Sequence, residues 1–333
     1  MKKIAALAVI VVAFLALWTG GWFYATGEIR KAVADLGEAD GETNPKITCA
    51  RMNITGFPFR FDLDCTEATF VSGDVTTTLA GFRASVLAYN PTQAKISALA
   101  PMTIADAYSG AQSRIAFSAA EGSVRVVTDD LWAGLSGEGW RIGRVSVIAD
   151  NVEWTDTLIG ETSVMHAGRA EAHLLDIPEQ HDPAEGTAAL AAYAALAETD
   201  APALGIADGE ATLEAELTGL PDDLRKLAAD DVVRSWQAAG GQLKLVGLKG
   251  KAGEEFVESS GTIALDSGAR LDGQIALRSK GLVERIGPVL PENLKPLILG
   301  GQEGDGSYSQ TLTIKAGVVF SGLMPVAMIP PLM

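Results

Sequence analysis

The sequence predicts an α+β protein, in which an N-terminal transmembrane helix is followed by an extended, mostly antiparallel β-sheet domain with a few inserted helices. Three observations carry that expectation. Ile4–Thr26 holds no charged residue over 23 positions. From Ile47 onward, short runs of alternating or β-branched residues are separated by turn residues. Helical spacing returns only in isolated segments beyond residue 180.

The first element is the apolar segment. At 1.5 Å per residue it reaches about 34 Å, enough to cross a hydrocarbon core of about 30 Å. Lys2 and Lys3 precede it and Glu28 follows it, so the positive-inside rule keeps the N-terminus on the cytoplasmic side. Trp18, Trp22, Phe23 and Tyr24 sit where an aromatic belt would meet the outer interface. The competing reading is a cleaved signal peptide. It would have a shorter apolar core and small residues at the cleavage site, where this chain carries Trp22-Phe23-Tyr24. The expected organisation is therefore a cytoplasmic N-terminus and signal anchor at 1–27, a stalk and linker at 28–46, and a β-rich domain at 47–333. That domain is read as two sub-halves, about 47–180 and 200–333.

Within the first half, Thr76–Leu79, Arg83–Ala88, Lys95–Leu99, Ser113–Ser118, Ser123–Val127, Arg141–Ala149, Asn151–Thr155 and Thr162–Leu175 read as strands. Asn90-Pro91 and Glu121-Gly122 read as turns, and a bulge is expected near Gly143. Asp182–Thr199, rich in alanine, reads as a helix, and so does Pro221–Ala239, ended by Gly240-Gly241. Gly209–Thr218, Gln242–Gly247, Phe256–Leu265 and Ala269–Arg278 read as further strands. The last two flank a turn in which Gly268 is expected to take φ > 0. Leu282–Leu299 reads as two short helical pieces between prolines. Ser307–Ile314, Val318–Ser321 and an apolar tail close the chain, the tail read as a buried edge strand rather than a soft ligand surface.

Composition narrows the function classes. The chain has 26 basic and 42 acidic side chains, net −16. Without Lys2, Lys3, Arg30 and Glu28, residues 31–333 keep 23 basic and 41 acidic groups, net −18. Nucleic-acid binding needs a basic stripe that is absent. A mean hydropathy of +0.19 then reflects uneven placement: an apolar anchor and tail beside an acidic domain.

The two cysteines bracket CARMNITGFPFRFDLDC. With a five-residue loop at Thr55–Phe59, Ile54 would face Arg60, Met52 would face Asp62, and Cys49 would face Cys65. Facing cysteines can close a disulfide in an oxidising compartment. Phe57, Phe59 and Phe61 alternate and are expected on one side as a hydrophobic seam. Core packing is one use for it; a lipid-touching face is the other.

A membrane anchor followed by GFPFRFDLDC (Gly56–Cys65) and AYNPTQ (Ala88–Gln93) resembles the bacterial envelope family known as domain of unknown function 2125. GGQLKLVGL (Gly240–Leu248), GTIALDSGARLDGQIAL (Gly261–Leu277) and GVVFSGLMPVAMIPPL (Gly317–Leu332) extend the resemblance over nearly the whole chain. It implies an inner-membrane protein with one span, a cytoplasmic N-terminus and a periplasmic main domain. It carries over no catalytic residue. Its architecture resembles that of AsmA-like envelope proteins, which implies a long β-sheet with an apolar face linked to lipid movement.

Motifs for chemistry are missing. His166, His173 and His181 are spaced against metal ligation. Asp62 and Asp64 share a strand parity, either as a carboxylate pair or as solvated edge residues. Gly134-Leu-Ser136-Gly137 breaks off before a nucleophile elbow, and Gly304-Asp-Gly306-Ser307 lacks a third glycine. Asp129-Asp130 and Asp222-Asp223 are too sparse for a calcium loop. Trp132, Trp140 and Trp154 either line a groove or are partly buried in the core. No cofactor, metal or catalytic residue is expected. The expectation is a non-catalytic protein, held in the inner membrane through residues 4–26, that binds or shields hydrophobic envelope components such as lipids. The expected binding face is Phe57, Phe59, Phe61, Phe320, Met324 and Met328. The alternative is an interaction protein docking another envelope complex.

Overall fold

The computed structural model describes residues 2–42, 44–128, 139–227, 231–281 and 300–332. The chain is an N-terminal apolar helix followed by a large antiparallel β-sheet structure with a few short helices. α1 (Lys2–Glu38) is one unbroken helix, so the apolar segment and the charged stalk form a single rod of about 55 Å. It is long and apolar enough to cross a membrane and fits a single-pass anchor. Asp40 ends the rod: its carboxylate accepts the backbone N–H of Glu42 and of Asn44, both at 3.0 Å, an Asx turn that redirects the chain.

Packing divides the chain into two units, Met1–Gly122 with Trp154–Thr162, and Ser123–Glu153 with Ser163–Met333. In the first, β1 (Lys46–Thr55), β2 (Arg60–Ser72), β3 (Val75–Leu87), β4 (Asn90–Asp106) and β5 (Gln112–Ala116) pair antiparallel in chain order. Two expected strands, Thr76–Leu79 and Arg83–Ala88, are the single strand β3. The turn after it is Ala88-Tyr89, with Asn90-Pro91 opening β4.

β6 (Ala119–Val127) and β7 (Arg141–Asp156) lead toward the second unit. At Gly143 of β7 a side chain would press on Val127 and the Arg125 carbonyl, so glycine permits close strand approach. The second unit continues with β8 (Thr162–Asp176), β9 (Thr187–Ala201), β10 (Ile206–Pro221), β11 (Gln242–Ala252), β12 (Glu255–Leu265) and β13 (Leu271–Lys280). It ends with β14 (Gly301–Gln302), β15 (Tyr308–Lys315), β16 (Val318–Ser321) and β17 (Met324–Met328). β8 through β13 pair antiparallel in order, then β13 with β15, β15 with β16, and β16 with β17. α2 (Leu224–Leu227) and α3 (Val232–Ala238) occupy the expected helical stretch between β10 and β11, and Gly240 ends it at φ 65°.

Three expectations fail. Asp182–Thr199 is no helix; it contributes most of β9. Alanine favours helix by well under 1 kcal/mol per residue, whereas β9 is bonded along both edges, to β8 and to β10. Tertiary pairing outweighs the local preference. In the β12–β13 turn it is Ala269, not Gly268, that takes the left-handed conformation, at φ 57°. Asp266 makes that turn: its carboxylate accepts the N–H of Gly268 at 2.8 Å and of Arg270 at 3.0 Å. The tail is not buried. Met324 is half exposed and Met328 largely so. The two helical pieces expected in 282–299 lie outside the described residues.

Candidate functional site

The hairpin of β1 and β2 lies against α1. Its tip, residues 56–59, turns on Gly56 at φ 103°, where a Cβ would lie 2.7 Å from the Arg60 carbonyl oxygen. Trp22 stacks flat on Phe61, with ring centroids 5.6 Å apart, and meets Phe57 edge-on at 5.4 Å. Phe23 stacks with Phe57 at 6.3 Å, and Trp18 lies against Phe59 at 6.4 Å. Both indoles donate to the hairpin backbone, Trp18 Nε1 to Pro58 O at 3.0 Å and Trp22 Nε1 to Arg60 O at 3.1 Å. The three phenylalanines therefore converge, but not as a strand seam. Phe57 and Phe59 stand on the turn and Phe61 on β2, gathered by the helix.

Cys49 and Cys65 form the disulfide, through a different register from the expected one. Thr55 pairs with Asp62 and Ile54 with Leu63, so Met52 faces Cys65 and Cys49 faces Ala68. Three residues of straight strand span about 10 Å, yet the cysteine Cα atoms are 5.4 Å apart. Glu67, between Cys65 and Ala68, sits at φ 50°. This left-handed residue kinks β2 and brings Cys65 back toward Cys49.

Asp62 and Asp64 are neither a coupled pair nor edge residues. Asp62 is buried, bound by Arg60 at 2.6 Å and by the Ser85 hydroxyl at 2.7 Å, while Asp64 is held by Arg83 at 2.5 Å. Each carboxylate is neutralised by its own arginine.

Strand registers sort the remaining side chains onto faces. In the second unit one face carries Leu190, Ala192, Ala194 and Leu196 of β9, opposite Leu213, Ala215 and Leu217 of β10. It continues across Leu243, Leu245 and Leu248 of β11, Ile263 of β12, Ile275 and Leu277 of β13, and Leu312 and Ile314 of β15. Ala215 and Ile314 are buried; the others are half-buried. Among the described residues, the short helical pieces that touch these strands lie at β9 and β10. At one end the apolar face opens into a cavity of about 200 Å³ lined by Leu204, Ile206, Ala211, Ala252 and Val257.

The opposite face is polar. Lys244 pairs with Glu216 at 3.1 Å, and Ser260, Thr262, Gln274, Thr311 and Thr313 line an open hollow of about 790 Å³. The first unit repeats the sorting, with Ile54, Phe61, Leu63, Phe82, Ala84, Val86 and Ile96 on one face, and Asp62, Asp64, Arg83 and Ser85 on the other.

The family whose model matches residues 22–330 is described as an uncharacterised protein conserved in bacteria, DUF2125. The chain belongs to this family. No curated protein and no solved structure matches. The family's span takes in the C-terminal part of α1, the disulfide hairpin and both apolar faces.

The terminal side chains expected to join the binding face divide. Phe320 pairs with Thr313 and so lies on the polar face, as does Met328 beside Val318, whereas Met324 stands opposite Ser321 on the apolar face. The aliphatic stripe was missed because its residues are distributed two or three to a strand. Its signal was the period-two spacing of Leu243/Leu245, Ile275/Leu277 and Leu312/Ile314.

The histidines are dispersed: His166 lies 3.8 Å from Asp200, His173 stacks on Tyr193, and His181 lies 3.4 Å from Asp222. Among the described residues no three metal-ligating side chains gather. Asp223 is structural. The Arg225 guanidinium at 2.7 Å, with the backbone N–H groups of Arg225 and Gly139, holds its carboxyl far below the usual carboxylate range. Trp154 is partly exposed on β7, while Trp132, Asp129-Asp130 and Gly134–Gly137 lie outside the described residues.

Proposed function

We propose that this is a non-catalytic, membrane-anchored envelope protein whose apolar sheet faces bind or shield hydrophobic envelope components such as lipids. The single observation behind this reading is the continuous aliphatic stripe from Leu190 to Ile314, most of whose side chains are only half-buried. Burying the apolar surface they still expose is favourable, since each fully buried side chain is worth about 1.5–3 kcal/mol. An acyl chain laid along the stripe supplies that burial without any specific polar partner. We further place the anchor in the bacterial inner membrane with its N-terminus in the cytoplasm and both sheet units in the periplasm. Lys2 and Lys3 against Glu28 support the orientation, and the disulfide suits an oxidising compartment. The one-sided sheet is also the form expected of an AsmA-like relative.

The test is mass spectrometry of lipids retained by the full chain after mild-detergent extraction, compared with a variant carrying Leu245→Glu and Ile275→Glu. Retained lipid that falls in the variant supports the reading. Absence of lipid together with a stoichiometric protein partner overturns it in favour of the alternative, an interaction protein docking another envelope complex. That alternative rests on the terminal strand β17, whose Met324 and Met328 are exposed, with Leu323 in the turn before it. A phosphatase fused after residue 40 reports the orientation: activity is expected outside the cytoplasm.

A further inference from the structure

The hairpin tip docked on α1 carries a second inference. The segment from Met52 to Phe59 contains no charge, with Arg51 and Arg60 on either side. Its aromatic side chains are not spent on a protein core: Phe57 is 50% exposed and Phe59 61%, next to Phe23 at 63% and Tyr24 at 71% on the helix. The height of the contact is fixed by α1. Trp18 precedes Thr26, the end of the uncharged run, by eight residues, or about 12 Å of rise. A partner of Trp18 therefore sits below the outer end of the apolar segment, not above it.

Most carbonyls of the tip have partners within the protein. Gly56 O accepts Arg60 N–H at 3.1 Å and Phe59 O accepts Ala88 N–H at 2.8 Å. Pro58 O and Arg60 O accept the two indole N–H groups, and Pro58 has no N–H to satisfy. Four of the five carbonyls from Gly56 to Arg60 have a partner. Irregular backbone does not face lipid in the hydrocarbon core, so such a tip belongs at the interface, where headgroups and water complete what the protein leaves open.

We infer that the tip Gly56–Phe59 inserts into the outer interface of the bilayer beside α1, as a second membrane contact with lipid as its partner. Phe57 and Phe59 meet acyl chains and upper glycerol groups, and Arg60, held on Asp62, marks the return to the headgroup layer. Phe61, the first apolar-face residue of β2, then stands at the membrane surface. The inference rests on α1 crossing the membrane, and the experiment separates the two.

The native cysteines are joined, so an introduced cysteine is the sole labelling site. Full chains carrying Val11→Cys, Phe59→Cys, Phe57→Cys or Tyr108→Cys are spin-labelled in nanodiscs of phosphatidylethanolamine and phosphatidylglycerol. Collision with oxygen is then compared with collision with a water-soluble nickel chelate. The expected result is several-fold lower nickel collision at Val11, Phe59 and Phe57 than at Tyr108, an exposed turn residue of the same unit. A lipid-like signal at Val11 with water-like signals at both tip sites overturns the tip contact and leaves the anchor. A water-like signal at Val11 overturns the anchor and the tip contact together. Retention of the native disulfide, read by intact mass, certifies each variant's fold, and two tip positions guard against one failing to fold.

Discussion

The ring of Trp22 lies almost parallel to that of Phe61, at 9°, while its N–H reaches the carbonyl of Arg60 next door. One side chain thus fixes both the tilt of the hairpin on the helix and the hydrogen bonding of its first strand residue. Trp22→Phe keeps a ring for Phe61 and loses only the donor, with an expected cost of about 1 kcal/mol. Trp22→Ala removes the stack as well, at about 3–5 kcal/mol. Denaturant unfolding in detergent, followed by near-ultraviolet dichroism, checks the order of the two.

The disulfide closes a 16-residue separation between Cys49 and Cys65. Reduction, or the double change Cys49→Ser with Cys65→Ser, is expected to cost about 3 kcal/mol through the freed chain entropy. Maleimide labelling of the native chain is expected only after reduction, because no cysteine is free. Thermal unfolding with and without reductant measures the loss.

Two of the carboxylates that organise turns in the second unit point to acid sensitivity. Asp223 is held low chiefly by the Arg225 side chain, and Asp266 chiefly by the backbone N–H of Arg270, with its guanidinium adding to it. A carboxyl lowered in the folded state stabilises above its unfolded value of about 3.9, and that contribution is lost as the pH falls through the folded value. Stability is therefore expected to be flat near neutral pH and to fall below about pH 4. In Asp223→Asn the acid limb should be shallower and neutral stability lower, read from unfolding midpoints across pH.

β12 and β13 approach closely at Gly261 and Gly273. A Cβ on Gly273 would lie well inside contact distance of the Thr262 carbonyl, and one on Gly261 would meet Gln274 in the same way. Because the obstacle is backbone, neither can yield cheaply. Gly273→Ala is expected to cost about 1–3 kcal/mol, measured by unfolding, and to loosen the Ile275–Leu312 neighbourhood in amide exchange.

The class of fold, the anchor and the disulfide partners were legible because each depends on local or compositional signals. An uncharged run of 23 residues, period-two alternation and a bare count of two cysteines suffice. Register was not legible. The hairpin register depends on where the tip bends and on the kink at Glu67, and a charged residue at positive φ leaves no mark in composition. β9 misled for the opposite reason: its alanines carry a local helix preference that only the two flanking strands override. The candidate face was visible as fragments of two residues, and pairing alone joins them into one surface. Phe57, Phe59 and Phe61 gather on a common neighbour, but it is a helix some 40 residues earlier, which no local pattern encodes.

Pairing in chain order has a consequence for how this molecule is made. From β1 to β5, and again from β8 to β13, each strand's first partner is the one synthesised immediately before it. Loop closure is then inexpensive at each of these steps and contact order is low for a sheet of this size. Within each of these two runs the chain can therefore grow as a zipper, a finished strand serving as template for the next.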